Sequence, residues 1–485
     1  MEHELGESPR TRLYEQIAQN VQHLVESGTF KSGDRIPSVR ALSKQMEVSV
    51  TTVLEAYRLL EDQGVIEARP QSGYYVRPNR PEPPAHPEPD VHLEGPSRVA
   101  RGEIIMQFMR DIRNPNLLNL GAAVPNPEFL PTQKLNRTLA AVARDRVDRS
   151  NVYEFSPGCE ELRVQLARRM LDAGCVLAPD DIVITNGCQE ALMLCLRSVC
   201  EAGDTVAVES PTFYGHLKAI EMLELKAVEI PSHPDSGISL DALSFALDQH
   251  KVRAVVATPC YSNPIGSRMP EENKQQLVES LRQREIPLIE DDIYGDLSFS
   301  QHRPHACRAY DDSGNTMLCS SLSKTLAPGY RIGWAVPGPR RARVELLKTF
   351  TNIACPGLTQ MAMAEFLATG GYDHHLRRVR RVYARQTGQM ADAIGRHFPY
   401  GTRVTRPTGG FVLWVELPRT VDSLEVYLRA LHEGISLAPG HLFSVGPRYR
   451  NFLRLNAAWW SPQVERAVAL IGVIARTLES TPPAS

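Results

Sequence analysis

The stretch Ser320-Ser321-Leu322-Ser323-Lys324-Thr325-Leu326-Ala327-Pro328-Gly329-Tyr330-Arg331-Ile332-Gly333-Trp334 sets one lysine between hydroxyl side chains and an arginine. An amine that attacks a carbonyl must be partly neutral, and burial or cationic neighbours favour that neutral form. Lys324 is the natural candidate for such an amine. A phosphate dianion needs hydroxyl donors and a guanidinium fork, which Ser321, Ser323 and Arg331 supply. Together the two needs predict pyridoxal phosphate (PLP) held as a Schiff base on Lys324.

A single lysine is most often a surface residue, so only the complete stretch favours a functional role. Ser-x-Ser-Lys followed by Ala-Pro-Gly-Tyr-Arg-Ile-Gly-Trp resembles the lysine segment of the fold-type I aminotransferases. The resemblance implies an α/β body in which a mostly parallel sheet lies between helices, with a small α+β domain beside it. It also implies PLP as the cofactor and Lys324 as the catalytic lysine.

Length and composition limit the classes of protein to consider. A chain of 485 residues is too long for one core and predicts at least two domains. The formal charge of −2 excludes a polycation or a polyanion. Nine cysteines without CxxC spacing or a histidine cluster predict reduced thiols and no metal site. The acidic N-terminus and the short aliphatic run 467–475 predict neither a signal peptide nor a membrane span, so we expect a cytoplasmic protein.

Residues 10–77 have the pattern of a winged helix-turn-helix domain. Apolar residues at helical spacing predict three helices, with Ser38 and Ser49 as N-caps of the second and third. Breaks are expected at Gly28 and Gly64. Two short alternating strands are predicted around a turn at 70–73.

This segment resembles the GntR family of bacterial transcription regulators along Gly33–Leu42, Ala56–Glu61 and Ser72–Val76. The third helix would enter a DNA major groove, with phosphate contacts from N-terminal hydroxyls and the wing. The resemblance assigns the contacts with double-stranded DNA to nine residues: Ser38, Arg40, Ser49, Thr51, Thr52, Arg58, Arg69, Ser72 and Gly73.

The electrostatic part of DNA binding by this segment is predicted to be modest. Residues 1–80 hold ten basic and eleven acidic side chains, a net charge of −1, and Val50 stands where many family members have an arginine. A three-helix protein-interaction module is the alternative interpretation. Residues 78–100 then form a proline-rich linker, whose composition predicts an extended, semi-rigid spacer.

From residue 101 to residue 480 the chain alternates apolar strands with amphipathic helices, which predicts a mostly parallel sheet covered by helices. The predicted strands are 182–184, 205–208, 254–257, 287–289 and 316–319. Polar residues follow the C-terminal end of each strand, and in open α/β sheets that edge binds ligands. The agreement among five separate segments predicts one binding site there.

Each strand end contributes a candidate ligand of the cofactor. A turn at Gly187 opens a helix whose free N–H groups, near Cys188 and Gln189, can hold a phosphate. An aromatic ring at Phe213 or Tyr214 could stack on the pyridine, and the aminotransferase resemblance favours Phe213.

The resemblance also assigns the contacts to the pyridine ring and its phenolic oxygen. It places Asn263 and Tyr294 at the phenolic oxygen. It selects Asp291, rather than Asp292, as the partner of the pyridine nitrogen, which a carboxylate keeps protonated.

Three further positions rest on the same resemblance. Tyr153 would reach a phosphate in a second subunit, which implies a homodimer with shared sites. Gly121 would lie near the substrate, and Arg454 would hold a carboxylate through a bidentate pair. The alternative for Arg454 is a surface salt bridge.

A GntR-like head joined to an aminotransferase-like body resembles the MocR subfamily of regulators. The resemblance implies a domain-swapped homodimer that regulates transcription and senses PLP, or a small amine or amino acid, through Schiff-base chemistry. The alternative is a working aminotransferase, converting an amino acid to a 2-oxo acid with Lys324 as general base, that carries a vestigial head. A passive DNA-binding scaffold with an empty PLP pocket is the third interpretation.

Overall fold

The computed structural model describes residues 13–26, 29–30, 33–62, 65–69, 72–76, 84–99 and 102–480. It divides into two compact units, 1–83 and 84–485. The predicted breaks at Gly28 and Gly64 and the turn residues Pro70 and Gln71 lie outside the described residues. So do residues 78–83 and 100 of the predicted linker.

The first unit contains three helices followed by a hairpin, the order predicted for a winged helix-turn-helix domain. Its elements are α1 (Leu13–Glu26), α2 (Val39–Gln45), α3 (Val50–Asp62), β1 (Ile66–Arg69) and β2 (Gly73–Val76). Ser38 caps α2 by accepting from the Ala41 N–H at 3.2 Å, and Ser49 accepts from the Thr52 N–H at 3.0 Å, which confirms both predicted caps. Tyr57 of α3 is buried in the small core beneath the wing.

The second unit contains the remaining elements. Its helices are α4 (Gly102–Ile112), α5 (Thr132–Asp145), α6 (Glu160–Met170), α7 (Cys188–Val199), α8 (Tyr214–Met222), α9 (Leu240–Gln249), α10 (Glu271–Gln283), α11 (Arg341–Asn352), α12 (Gly357–Ala368), α13 (Gly371–His397), α14 (Ser423–His432) and α15 (Pro462–Glu479). Its strands are β3 (Ser97–Arg98), β4 (Leu118–Asn119), β5 (Glu154–Phe155), β6 (Val183–Thr185), β7 (Thr205–Ser210), β8 (Lys226–His233), β9 (Gly237–Ile238), β10 (Val252–Ala257), β11 (Leu288–Asp291), β12 (Thr316–Ser321), β13 (Gly333–Val336), β14 (Ala354–Cys355), β15 (Arg403–Val404), β16 (Val412–Glu416), β17 (Ile435–Ser436), β18 (Ala438–Pro439) and β19 (Phe452–Asn456).

The large sheet has the strand order β3-β8-β7-β10-β11-β12-β13-β6, and β9 pairs with β8. Strands β8, β7, β10, β11 and β12 are parallel, so their carboxyl ends meet at one edge of the sheet. Strand β13 is antiparallel to both of its neighbours, β12 and β6, and β6 forms the edge of the sheet. The loop between β12 and β13 therefore lies near the end of β6, where α7 begins. Helices on both faces bury the apolar strands, as predicted for the fold-type I body.

A smaller α+β layer lies after the long helix α13. Its antiparallel sheet has the order β15-β16-β19-β18, and α4, α14 and α15 contribute to the same apolar core. This confirms the predicted small domain. Strand β19 of this layer carries Arg454, which donates to Asn263 in the loop after β10 of the large sheet.

Residues 84–99, which we call the strap, lie against the second unit although they fall within the predicted linker. The Val404 N–H donates to the Ala85 carbonyl at 2.9 Å, and β3 pairs with β8. Val99 is buried in the core beside that strand. This part of the linker is therefore held by the body along its length.

Within the described residues, no helix is both long and apolar enough to cross a membrane. No group of three or more histidine, cysteine, aspartate or glutamate side chains in the same residues is arranged to hold a metal ion. The nine cysteines are free thiols, and eight of them are buried.

Candidate cofactor and effector site

One cavity of about 160 Å³ lies at the edge of the sheet where the parallel strands end. Ten of the residues predicted from the sequence line it: Cys188, Gln189, Phe213, Asn263, Asp291, Tyr294, Ser321, Ser323, Lys324 and Arg331. They come from five separate segments, each located after a strand or at the start of a helix. The parallel sheet brings them together because it aligns the strand ends.

The Lys324 amine lies at this cavity and donates to the Ala123 carbonyl at 2.6 Å. Burial lowers the pKa of Lys324 from 10.5 to about 8, with the positive charges of Arg454 and Arg331 acting in the same direction and Asp291 opposing them. A substantial fraction of this amine is therefore neutral near pH 8, the form that attacks a carbonyl carbon.

The start of α7 and the loop after β12 form an anion-binding end of the cavity. Arg331 donates to the Ser323 hydroxyl at 3.3 Å and to the Asn186 carbonyl at 2.8 Å. Gly187 has a φ of 88°, and a Cβ there would clash with the Arg331 guanidinium. Free N–H groups at the start of the helix, together with hydroxyls and a guanidinium, suit a phosphate dianion.

Asp291 is held in place by contacts to both of its carboxylate oxygens. Its Oδ2 lies 3.0 Å from His216 Nε2, and its Oδ1 accepts from the Cys188 thiol at 3.2 Å and from the Ile293 N–H at 3.1 Å. The other ring nitrogen of His216 lies 3.1 Å from the Thr212 hydroxyl. Asp292, the alternative from the sequence, is instead paired with Arg303 outside this cavity.

Two aromatic side chains, Phe213 and Tyr294, line the cavity. The Tyr214 ring instead packs against Phe443, with 6.0 Å between the ring centroids. The Tyr294 hydroxyl is buried and has no hydrogen-bond partner within the described residues. Burial raises the pKa of that hydroxyl, so it stays protonated and can donate to a ligand oxygen.

Arg454 is fully buried beside the cavity. It donates to Asn263 Oδ1 at 2.7 Å and to the Gly121 carbonyl, and its Nε has no partner within the described residues. None of the described carboxylates forms an ion pair with it, and burial lowers its pKa. Arg454 is therefore not a surface salt-bridge residue, and a buried cation without a counter-charge favours an anionic ligand.

Four predicted residues of the body do not line the cavity: Gly187 and Arg454, which lie beside it, and Tyr153 and Gly121. Tyr153 is 67% exposed and packs beside Phe155. Gly121 reaches the site only through its carbonyl, which accepts from Arg454. Four lining residues were not predicted from the sequence: Leu192, His216, Thr258 and Ile293.

The residues predicted to contact DNA all lie in the first unit. Arg40 and Thr51 are exposed, whereas the hydroxyls of Ser38 and Ser49 act as helix caps. Thr52 shares a 2.7 Å hydrogen bond with Ser49.

The remaining predicted contacts lie on the outer side of α3 and in the wing. Arg58 forms an exposed ion pair with Glu55 at 3.2 Å. Arg69 lies 4.3 Å from the Tyr75 ring, and Ser72 lies 2.6 Å from the Tyr75 hydroxyl. Gly73 has a φ of 112° at the start of β2.

Two family matches divide the chain along the same boundary. Residues 13–76 match the bacterial regulatory proteins of the gntR family, and residues 117–471 match aminotransferase class I and II. The HTH-type transcriptional regulators YdcR and YjiR of Escherichia coli (strain K12) are 39% and 36% identical to this chain. These alignments cover 95% and 92% of the chain and 98% and 94% of the relatives. The chain belongs to the MocR subfamily of GntR-type transcription regulators.

Solved aminotransferases resemble the body of this MocR-type regulator. The α-aminoadipate aminotransferase LysN of Thermus thermophilus, complexed with N-(5'-phosphopyridoxyl)-L-leucine, is 27% identical with a TM-score of 0.72, over 78% of this chain and 96% of that one. The kynurenine aminotransferase of Pyrococcus horikoshii is 28% identical with a TM-score of 0.73, over 79% of this chain and 96% of that one. The regulator thus combines a DNA-binding head with an aminotransferase-like body.

Proposed function

We propose that this regulator holds PLP on Lys324 and changes its affinity for DNA when an amino acid or related amine enters the same cavity. The observation that carries the proposal is the cavity itself. It combines a lysine of lowered pKa, a phosphate-binding end, a fixed carboxylate and a buried arginine without a counter-charge among the described residues.

The side chains fit the cofactor group by group. Ser321, Ser323 and Arg331 would hold its phosphate with the N–H groups of Cys188 and Gln189. When bound, PLP supplies an aldehyde and a pyridine ring that withdraws electrons from an attached amine.

The ring contacts are supported by the hydrogen-bonding capacity of each group. Asp291, oriented by His216, would accept from the pyridine nitrogen, and Phe213 would lie against the ring. The Tyr294 hydroxyl, which has no partner among the described residues, and Asn263 would donate to the phenolic oxygen. The tyrosine keeps the protonation state that this role needs, because burial holds it neutral.

The effector class follows from Arg454. Its guanidinium now bonds to neutral oxygens of Asn263 and Gly121, so a carboxylate would replace neutral acceptors with a charged one. This favours an amino acid over a simple amine. Such a ligand would free the Lys324 amine and add a carboxylate beside Arg454. These two changes would allow the ligand to bind two states of the protein unequally, as regulation requires.

A homodimer is supported by an exposed apolar surface around β5 and β14. Val152, Tyr153 and Phe155 are 59%, 67% and 59% exposed, and Phe350 and Ile353 are 83% and 50% exposed. Apolar side chains grouped in this way mark a site of association. We propose that Tyr153 reaches the phosphate end of a second subunit across this surface. Domain swapping and a cytoplasmic location stay predictions.

The experiment that tests the proposal is an absorbance titration followed by a mobility shift. PLP should give wild-type protein an imine band that Lys324→Ala lacks. Candidate amino acids should then change both the band and the shift of DNA upstream of the protein's own gene. A protein that stays colourless in excess PLP would contradict the proposal and support the passive scaffold.

A catalytic aminotransferase is the second candidate, because every predicted cofactor contact of one chain is present at the cavity or beside it. A multiple-turnover assay with amino acids and 2-oxo acids tests it. Fast turnover without a shift of any DNA would favour the enzyme over the regulator.

A further inference from the structure

A second, larger cavity of about 980 Å³ forms an open groove on the body. Its walls are the segment 299–305 and the first half of α13, and it shares no lining residue with the cofactor cavity. Five arginines and two aspartates line this groove. The arginines are Arg169, Arg303, Arg377, Arg380 and Arg381, and the aspartates are Asp172 and Asp373.

The arginines at the base of the groove are neutralised by neighbouring carboxylates. Arg303 pairs with Asp292 and lies 3.0 Å from Asp296, and Arg169 lies 2.7 Å from Asp373. Their charges belong to the fold and leave little attraction for a ligand.

The arginines of the α13 wall are different. Among the described residues, Arg380 donates to the carbonyls of Asp296 and Gln301, and the Arg381 Nε donates to the carbonyl of Arg377. Together with Arg303 and Arg169, the Arg380 charge also helps to lower the pKa of the nearby Asp296 carboxyl. Within the described part of the chain, no carboxylate forms an ion pair with Arg377 or Arg381, so these two are the cations of this wall without counter-charges from the described residues.

These cations extend along the helix beyond the groove. Arg377, Arg381 and Arg385 recur every fourth residue and are exposed. At 1.5 Å per residue the row spans about 12 Å. A single small anion is usually held by converging donors in an enclosed site, whereas a row of guanidinium groups along an open groove suits a chain of phosphates.

We propose that this groove and the arginine row of α13 bind the phosphate backbone of duplex DNA that flanks the operator. The proposal rests on the proposed binding of DNA by the head. Residues 1–80 carry a net charge of −1, so the head provides no net electrostatic attraction for DNA. The body would supply the sequence-independent electrostatic part of the affinity, and the head would supply the base contacts.

The opposite face of α13 gives this second contact a connection to the cofactor lysine. Tyr372 donates to the Thr325 hydroxyl at 2.9 Å, and His375 Nε2 lies 2.7 Å from the Thr325 carbonyl. Thr325 follows Lys324 in the chain. DNA in the groove and a ligand on Lys324 would thus act on one segment, and any coupling between them is reciprocal.

The experiment compares two double variants of the full-length protein that change the charge equally. Arg377→Gln with Arg381→Gln removes two cations of the row, and Arg343→Gln with Arg466→Gln removes two exposed arginines elsewhere. Affinity for a long upstream duplex, and for the shortest duplex that the head protects, is measured over a range of salt concentration. Thermal unfolding confirms that both proteins are folded.

On the long duplex we expect the slope of log K against log salt to fall by about 2 in the row variant, because each lost phosphate contact removes about 0.9. The control variant should match the wild type, and all three proteins should bind the short duplex alike. Equal slopes for row and control variants on the long duplex would overturn the proposal.

Two further results are decisive. If inorganic pyrophosphate raises the unfolding temperature of the wild type but not of the row variant, while the slopes stay equal, the groove binds a small anion and the DNA proposal is wrong. The proposed contacts are to phosphates and do not depend on base sequence. If the upstream duplex is not shifted, the salt dependence of the three proteins can therefore be compared on a non-specific duplex. A shift of no duplex at all would instead contradict the regulator function itself.

Discussion

Replacing Arg454 by glutamine should separate ligands that carry a carboxylate from those that do not. The guanidinium is fully buried, its Nε has no partner within the described residues, and it bonds only to neutral oxygens. A bound carboxylate would satisfy Nε and supply the missing negative charge. Glutamine keeps a donor for Asn263 but removes the charge and the fork.

The size of the effect follows from the burial. Removing one partner of a buried charged pair costs about 2–5 kcal/mol. A loss of about 3 kcal/mol corresponds to a roughly 150-fold increase in Kd for an amino acid. An amine of the same side chain without the carboxylate makes no such pair, and its Kd should stay nearly the same in both proteins.

The assay is an absorbance titration of protein loaded at saturating PLP, with matched pairs of an amino acid and its decarboxylated amine. Saturation matters because the charge of Arg454 helps to lower the pKa of Lys324, so the variant captures PLP less readily. Arg454→Lys keeps the charge without the fork and should fall between the two proteins. Equal losses of affinity for the acid and the amine would refute the assignment of Arg454 to the carboxylate.

Three other predictions concern the cavity and its supporting strands. PLP capture should rise with pH around the pKa of Lys324, about 8, because only the neutral amine attacks, and stopped-flow absorbance measures the rate. Gly187→Ala should weaken PLP binding at least about tenfold, because the new Cβ would clash with the Arg331 guanidinium. Gly203→Ala is the control: Gly203 has a φ of 89° with open space around it, so this variant should lose stability but still bind PLP. Burial raises the pKa of Glu209 from 4.5 in the unfolded chain to about 7, so ionisation costs the folded state stability as pH rises from 4.5 to 7. Glu209→Gln should therefore raise the unfolding free energy relative to wild type by up to about 3 kcal/mol above pH 7, and by much less at pH 4.5. Urea unfolding at the two pH values measures this difference. An equal difference at both pH values would be evidence against a neutral, buried Glu209.

The position of the cavity could be predicted from the sequence because a parallel sheet fixes it. Once strands ending near 257, 291 and 319 are parallel, the polar residues after them must share one edge. The prediction did not include β8 or β13. Strand β8 mixes charged and apolar residues without a clear period, and β13 follows the lysine segment so closely that the sequence does not separate the two.

His216 shows what the sequence could not provide. It lies on α8, three residues after Phe213, where a buried histidine fits ordinary packing as well as function. Its partner Asp291 is 75 residues away, and only the sheet brings the two together at 3.0 Å. The spacing Phe-x-x-His at the start of a helix after β7 was the only local signal.

The contacts of the strap were missed for a related reason. Proline-rich composition predicts an extended backbone, but it does not say what that backbone contacts. Glu88 pairs with Arg403 at 2.8 Å, and its N–H donates to Glu416 at 3.2 Å, a separation of 328 residues along the sequence. An extended segment with acidic residues can be a free spacer or a bound one, and the arginines that bind it lie far away in the chain.

Under the proposed function, the contacts of the strap with the body bear on how a ligand in the cavity would act on the head. Arg448 lies 3.3 Å from Glu94 and 3.8 Å from Asp90 of the strap. The next residue, Tyr449, lies 3.0 Å from the hydroxyl of Ser210, the last residue of β7. Residues 448 and 449 therefore contact both the strap and the strand that leads into the cofactor cavity.

Strand β19 begins three residues after Tyr449 and carries Arg454. A ligand carboxylate that repositions Arg454 would act on a strand whose beginning adjoins the strap contacts. Contacts alone do not establish coupling, because a ligand shifts an equilibrium only as far as it binds two states unequally. Under the proposed function, the ion pairs of the strap with Arg403 and Arg448 are the contacts that would have to differ between the two states, because the strap directly follows the DNA-binding unit in the chain.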